Sequence, residues 1–360
     1  MPTKATPIQP SPITGPNVWH GAEMARSERW VRRLSPQHLA ELDAAVRRAR
    51  AAGMQWNSMR REDFPLPSFG PLIEDIRAEL EDGSGMLMLR GIDVRGRDFE
   101  SLKLLYAGLC RHLGTLVHSN RGGEFMREIR DVGRDAGARY GALPDPDKPG
   151  AFLSSYARTL SNGELRFHTD RCDVVALFCI RQASRGGVSL LCSSPAVHNE
   201  MLRRRPDLAA ALYEDVWRSR FGEEDAGDAL AYPLPVWGVQ DGKFTSHYSR
   251  TFIEVAQRRP EIPRLTPKQA EALDLLHDIA RELAFEMTFT PGDIQFLNNH
   301  VIYHARTAFE DGEEEGRLLL RLWLAMPNSR ALPQGHEVLW GAIAAGALRG
   351  GIGQTSAPLD

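Results

Sequence analysis

Apolar residues recur at helical spacing through the first third of the chain, and in short runs bounded by turn residues through most of the remainder. Ser35-Pro36 reads as an N-cap followed by a proline in the first helical turn, opening HLAELDAAVRRARAA. Pro71 opens LIEDIRAELEDG, which stops at Gly83. Asp98 caps a helix running through Leu113, with Gly114 as its end. Between these, Gly85-Met86-Leu87-Met88-Leu89-Arg90 is a short apolar run that predicts a buried strand. From about residue 125 the pattern predicts short strands at 174–180, 188–191, 288–290, 294–297 and 317–326, with Gly, Pro and Asn between them. Two helices interrupt that run. One follows a Ser194-Pro195 cap to about Tyr213, and the other runs from the capping box Thr266-Pro267-Lys268-Gln269 to Ala284.

Residues 1–17 carry five prolines and little apolar content, which predicts a flexible extended arm. Residues 18–360 then read as a single domain: a helical portion with the first strand over 18–120, a strand-rich core with inserted helices over 121–330, and a tail over 331–360. With 42% hydrophobic and 25% charged residues, the chain is neither disordered nor a disulfide scaffold. Forty-four basic against 47 acidic side chains leave a net charge of −3, too little positive field for nucleic acid or an anionic membrane. A small-molecule partner is the expectation. Cys110, Cys172, Cys179 and Cys192 form no CxxC pair and read as reduced thiols. No apolar run approaches the roughly 18 residues of a membrane span, and the N-terminus lacks an apolar leader segment, so a cytoplasmic location is expected.

Candidate chemistry concentrates in three places. In His168-Thr169-Asp170, an extended backbone would send the imidazole and the carboxylate out of the same face. His198-Asn199-Glu200 has the same spacing but lies inside a predicted helix, where positions i and i+2 diverge, so it reads as structural. The segment 291–306 reads as a Pro-Gly turn, a strand, a polar turn and then His304 near the start of the next element. A helical His300-x3-His304 zinc site is the alternative, and the β-branched Val301-Ile302 argues against it. Lastly, Arg317, Leu319, Arg321 and Trp323 alternate onto one strand face. Either this is an edge strand with solvated arginines, or it faces the interior and an anion must meet it.

In order, His168-x-Asp170, Gly186-Gly187-Val188-Ser189, His304 and Arg321 resemble the iron(II)/2-oxoglutarate-dependent dioxygenases of the taurine dioxygenase and clavaminate synthase-like family. The resemblance runs from the Trp19…Trp30 opening to the RLLLRLWLAM strand. It implies a mainly β protein with flanking helices, a double-stranded β-helix (jelly roll) with an N-terminal helical extension. It implies that His168, Asp170 and His304 hold iron(II), leaving three positions open. It further implies that 2-oxoglutarate meets Arg321 through its distal carboxylate, with Ser189 as a hydroxyl donor and Arg317 as a second cation. The reaction implied is decarboxylation of 2-oxoglutarate with O2 to succinate and carbon dioxide, giving an oxidant that abstracts hydrogen from an unactivated carbon. Asp170 stands where related halogenases carry a small residue, so hydroxylation is expected, with desaturation or ring formation open.

Three departures accompany the resemblance. Asn298-Asn299-His300 replaces the family's frequent Asp-Asn-Arg, the spacing from His304 to Arg321 is slightly long, and no taurine pocket is evident. Glu164 and Arg166 share the strand face of His168 if that strand extends back. With His300 they are the expected contacts of a zwitterionic or carboxylated substrate, and Arg306 is either a partner of the last ligand or a surface group. Two other readings compete: a jelly roll that binds a metal or ligand without catalysis, and a zinc hydrolase built on His300 and His304, which would have no use for Arg321.

Overall fold

The computed structural model describes residues 10–133, 159–220, 224, 227, 229–313 and 315–353. The N-terminal third supplies α1 (Gly21–Met24), β1 (Val31–Arg33), α2 (Pro36–Ala51), α3 (Gly70–Glu81), β2 (Met86–Arg90) and α4 (Phe99–Leu113). The expected caps are in place. The Ser35 hydroxyl accepts from the His38 amide at 3.1 Å, and Asp98 accepts from the Ser101 amide at 3.0 Å.

The core follows with β3 (Thr115–Val117), β4 (Arg127–Ile129), β5 (Leu165–His168), β6 (Val174–Arg181), β7 (Arg185–Gly186) and β8 (Ser189–Ser193). Next come α5 (Ser194–Arg204), α6 (Pro206–Ala211), β9 (Val216–Ser219), β10 (Ala231–Leu234), β11 (Trp237–Gln240), β12 (Lys243–Ser246), α7 (Arg250–Gln257) and α8 (Pro267–Glu282). The chain closes with β13 (Phe285–Met287), β14 (Ile294–Asn298), β15 (Ile302–Arg306), β16 (Phe309–Glu310), β17 (Leu318–Ala325) and α9 (Glu337–Trp340).

A major sheet runs β1-β2-β14-β6-β17-β3, with β4 also on β17, and faces a smaller sheet ordered β13-β8-β15-β5. This is the expected double-stranded β-helix with helices outside. One face of the major sheet, with Leu318, Leu320, Leu322 and Leu324 of β17, packs against the helical layer. Its other face, with Leu319 and Trp323, looks across at Leu191 and Ile302 of the smaller sheet. β17 is therefore buried on both faces, which is why its sequence is almost continuously apolar. The smaller sheet is backed in turn by α5, α6 and α8 through Val197, Leu208, Leu273 and Tyr303.

Several expectations shift. The helix after residue 193 is capped by Ser193 rather than Ser194, and it breaks at Arg205 because the backbone ahead of Pro206 leaves the helical region. The strand expected at 288–290 lies earlier, at Phe285–Met287. Two antiparallel hairpins, β9-β10 and β11-β12, were not foreseen. Residues 1–9 of the expected arm fall outside the described residues. The remainder is docked: Ile13 exchanges two 2.8 Å hydrogen bonds with the Asn199 side chain. The described part of the expected tail is also packed, since buried Arg349 donates to Asp173 at 2.7 Å and the Gly351 amide donates to the Arg171 carbonyl at 2.8 Å. Among the described residues no helix is long and apolar enough to cross a membrane.

Candidate active site

His168 ends β5 and His304 stands opposite it in register on β15, with ring centroids 4.2 Å apart. Asp170 lies two residues past His168, beyond the strand end, with one carboxylate oxygen 3.9 Å from each imidazole Nε2. One donor atom from each residue falls within 4.8 Å of the others, and all three residues are buried. Two imidazoles and one carboxylate suit a divalent transition metal. The His168 Nδ1 lies 2.9 Å from the Arg166 carbonyl; a proton there leaves Nε2 with its lone pair toward the triad.

Asp170 is held from three directions. Its amide donates to Asn299 Oδ1 at 2.9 Å, its Oδ2 accepts from the Trp323 indole at 3.0 Å, and Arg321 Nη1 lies 3.4 Å from both oxygens. Asn299 also donates to the Cys172 carbonyl at 3.0 Å, so it knits together the loop that carries the carboxylate. Burial alone would raise the Asp170 carboxyl; Arg321, the two imidazoles and the Trp323 indole outweigh it and hold it below its ordinary value. Burial pushes both imidazoles the other way, His304 to about 3, where neighbouring His168 adds to the effect. At neutral pH the triad is thus an anion between two neutral donors, ready for a cation without losing protons.

Two cavities meet at this triad. The first lies between the sheets, walled by Val175, Leu177, Leu191 and Leu319, and it receives Ser189, Gln295, Arg306, Arg317 and Arg321. Arg306 donates to the Ser161 and Gly163 carbonyls, but its Nε and Nη1 have no partner among the described residues; Arg317 donates from Nε to Gln182 at 3.3 Å, and its Nη1 has none among them. Both guanidiniums lie over the Phe309 ring, at 4.7 and 5.3 Å. Neither pairs with a carboxylate side chain among the described residues. Burial, reinforced by repulsion from Arg317, lowers Arg306 to about 9, and burial lowers Arg317 to about 10. Two such cations in an apolar chamber leave room for an anionic ligand. The Gly186-Gly187 turn makes the approach possible, because a Cβ on Gly187 (φ +66) would come within 3.1 Å of Arg317 Nε.

The second cavity also reaches Asp170 and mixes loop residues with residues of β5, β10, β17, α7 and α9. Thr169, Arg171, Tyr232, His247, Phe252 and Trp323 line it, together with His168, Asp170 and Arg321.

Of the expected site residues, His168, Asp170, His304, Ser189, Arg317 and Arg321 converge. Glu164, Arg166 and His300 do not. Glu164 is exposed. Arg166 turns outward to Glu254 at 2.7 Å and Thr251 at 3.0 Å. The cause is a register shift: His168 pairs with His304 but Leu165 with Arg306, so a bulge reverses the alternation and Leu165 takes the inward position. His300 is fully buried away from both cavities, bonded to Asp173 at 2.9 Å and Thr245 at 2.8 Å. With His304 on a strand and His300 in a separate polar cluster, the zinc-site alternative has no geometry. The edge-strand alternative fails too, because β17 lies between β6 and β3 with Arg317 and Arg321 buried. Sequence reasoning missed Trp323 as a partner of Asp170 and the inward position of Gln295, and it left Arg306 undecided.

A sequence model of the taurine catabolism dioxygenase TauD, TfdA family matches residues 49–323. The FR-33289 synthase of Streptomyces rubellomurinus is 30% identical, over 94% of this chain and 98% of that protein. The taurine hydroxylase-like protein SAT17 of Stachybotrys chartarum is 31% identical, over 85% of this chain and 77% of its own length. Among solved structures, an asparagine oxygenase in complex with Fe(II), 2S,3S-3-hydroxyasparagine and succinate superposes with a TM-score of 0.62 at 16% identity, covering 82% of this chain and 93% of that one. The non-heme iron oxygenase OrfP with Fe, succinate and (3S)-hydroxy-L-Arg gives 0.57 at 16% identity, covering 82% and 94%.

Proposed function

The chain belongs to the TauD, TfdA family of iron(II)- and 2-oxoglutarate-dependent dioxygenases, and on that premise we propose that it hydroxylates a small polar substrate with His168, Asp170 and His304 as the iron ligands. The observation that carries this reading is the buried triad at the junction of two cavities, one of which presents guanidiniums with unused N–H groups. Bound there, iron with 2-oxoglutarate and dioxygen supplies the oxidising equivalents, the oxo acid leaving as succinate and carbon dioxide.

The protein's share is holding, orienting and excluding. His168 and His304 present neutral nitrogens and Asp170 an ionised oxygen. The walls of Val175, Leu177, Leu191 and Leu319 keep water from the between-sheet chamber, which strengthens every charge interaction inside it. Arg317, rather than Arg321, is the residue we assign to the distal carboxylate of 2-oxoglutarate, with Ser189 beside it and Arg306 adding positive field. Supporting this, the Arg317 and Arg306 guanidiniums lie in that chamber without a carboxylate bonded to them among the described residues, whereas Arg321 already faces Asp170 and borders both cavities.

The substrate belongs in the second cavity, where Arg171 and Arg321 favour an amino acid or small carboxylate. That the similar oxygenase structures contain hydroxylated asparagine and arginine supports the same class. Desaturation or cyclisation would use the same hydrogen abstraction.

The test is an anaerobic titration of the apoprotein with iron(II) and then 2-oxoglutarate. A weak visible charge-transfer band, absent in His168→Ala and demanding far more 2-oxoglutarate in Arg317→Leu, is the expected result. Iron binding with no band at saturating 2-oxoglutarate would overturn the assignment.

A further inference from the structure

Trp323 stands on β17 two residues beyond Arg321, and strand alternation sends both side chains toward the smaller sheet. Its backbone is pinned on both sides, paired with Val117 of β3 and Val175 of β6, and the residue is 4% exposed. An indole offers a single donor, Nε1–H. Here that donor meets Asp170 Oδ2 at 3.0 Å, while the ring face lies under Arg321, whose Cζ is 4.8 Å from the centroid.

These two contacts act on one carboxylate. Oδ1 faces His168 and Oδ2 faces His304, each at 3.9 Å. Arg321 Nη1 lies 3.4 Å from both oxygens, a long and symmetric approach that selects neither. The indole bond is the shorter one and goes to one oxygen only. Asn299 bonds the backbone amide of Asp170 and not its carboxylate, so among the described residues Trp323 is the neighbour that discriminates between the two oxygens. The ring also gives the guanidinium a face to rest on, which keeps Arg321 from closing into a full two-bond pair with the carboxylate that a metal must share.

We propose that Trp323 is a positioning residue for metal capture: its indole N–H fixes the rotation of the Asp170 carboxylate so that one oxygen is kept for the metal, and its ring restrains Arg321 from competing for that oxygen. The inference rests on the assignment of His168, Asp170 and His304 as metal ligands.

The test compares Trp323→Phe, which keeps a ring but removes the donor, with Trp323→His, whose Nε2 occupies the same ring position as indole Nε1. Cobalt(II) affinity is read by calorimetry and by its visible ligand-field band, and melting of the metal-free protein is followed alongside. Loss of a partner that orients a metal ligand costs roughly 10- to 100-fold in metal affinity. Trp323→Phe is therefore expected to bind cobalt(II) that much more weakly with a shifted band, and Trp323→His to recover most of the loss. Wild-type cobalt affinity in Trp323→Phe, or equal weakness in the Phe and His variants, would overturn the role of the N–H. Failure of the underlying ligand assignment looks different: His168→Ala would then bind cobalt(II) as the unmodified chain does.

Discussion

The two cavities that meet at Asp170 are built from different materials. The between-sheet chamber takes its walls from strands, with Val175 and Leu177 on β6, Ser189 and Leu191 on β8, Gln295 on β14, and Leu319 and Arg321 on β17. The outer cavity borrows only β17 from the major sheet. It is closed by the loop after His168, by Tyr232 and His247 of the unforeseen hairpin region, and by Phe252 and Leu339 of short helices. On the assignment proposed above, a frame of strands surrounds the cosubstrate, and a mixture of loops, a hairpin strand and short helices surrounds the substrate. His168 and Asp170 line both and His304 lines the chamber, which makes loss of the triad the largest effect to be expected. Asp170→Ala removes the anion between two neutral imidazoles, and iron-dependent turnover should fall below detection with no iron retained after desalting. Retained iron at wild-type stoichiometry would mean that the two cavities do not share a centre.

Substitution of Arg317 separates the cavities. A charge-assisted hydrogen bond contributes about 1.5–3 kcal/mol, so Arg317→Leu should raise the apparent KM for 2-oxoglutarate roughly 10- to 100-fold and leave cobalt(II) affinity in place. Steady-state kinetics in 2-oxoglutarate checks the first and calorimetry the second. If Arg321→Leu instead produced the larger rise in KM while Arg317→Leu did not, the cosubstrate would sit nearer the triad than the chamber geometry supports.

What could be read from sequence follows the same division. His168, Asp170, His304, Arg317 and Arg321 were legible mainly through the family resemblance; strand period supported only the shared face of His168 with Asp170 and of Arg317 with Arg321. Arg166 misled because one bulge reverses that period, and a bulge leaves no mark in so short a segment. Trp323 showed its face but not its partner, since the carboxylate it meets lies 153 residues earlier. The hairpins around the outer cavity were obscured differently. Pro233 within β10 reads as a strand breaker, whereas Asp241-Gly242, with φ of 52 and 76, was a turn signal that went unused. The Arg349 contact to Asp173 spans 176 residues and belongs to tertiary packing alone.

Acid should also loosen the segments around His247 and His336. Burial holds His247 well below its ordinary value and His336 at about 4, with the positive surroundings of His300 and Arg218 lowering His336 further. A histidine whose folded pKa lies below its unfolded value of about 6.5 takes up its proton more readily when unfolded. Its contribution to stability is complete above pH 6.5 and is lost as the pH falls toward 4, at about 1.4 kcal/mol per pH unit for each such group. The metal-free protein should therefore melt a few degrees lower at pH 5 than at pH 7. Hydrogen exchange should quicken over 232–252 and 336–349 before it does in β6 and β17. Uniform acceleration would show one cooperative unit and not two.

The smallest expected effects carry the finest distinction. Ser189→Ala removes one neutral donor from the chamber and should raise the KM for 2-oxoglutarate about 3- to 10-fold, in line with roughly 0.5–1.5 kcal/mol for such a bond. Phe252→Ala empties part of the outer cavity instead. Phe252 is not among the residues that wall the chamber, so cobalt(II) and 2-oxoglutarate affinities should both stay within about twofold of wild type, inside the roughly 0.5 kcal/mol expected for a site with no shared partner. The same variant should change which substrates stimulate succinate release, because it removes part of the wall of the cavity proposed for the substrate. Were Phe252→Ala to weaken 2-oxoglutarate as much as Ser189→Ala does, the outer cavity would have to extend its hold on the chamber through Arg321, the one arginine among the described residues that borders both.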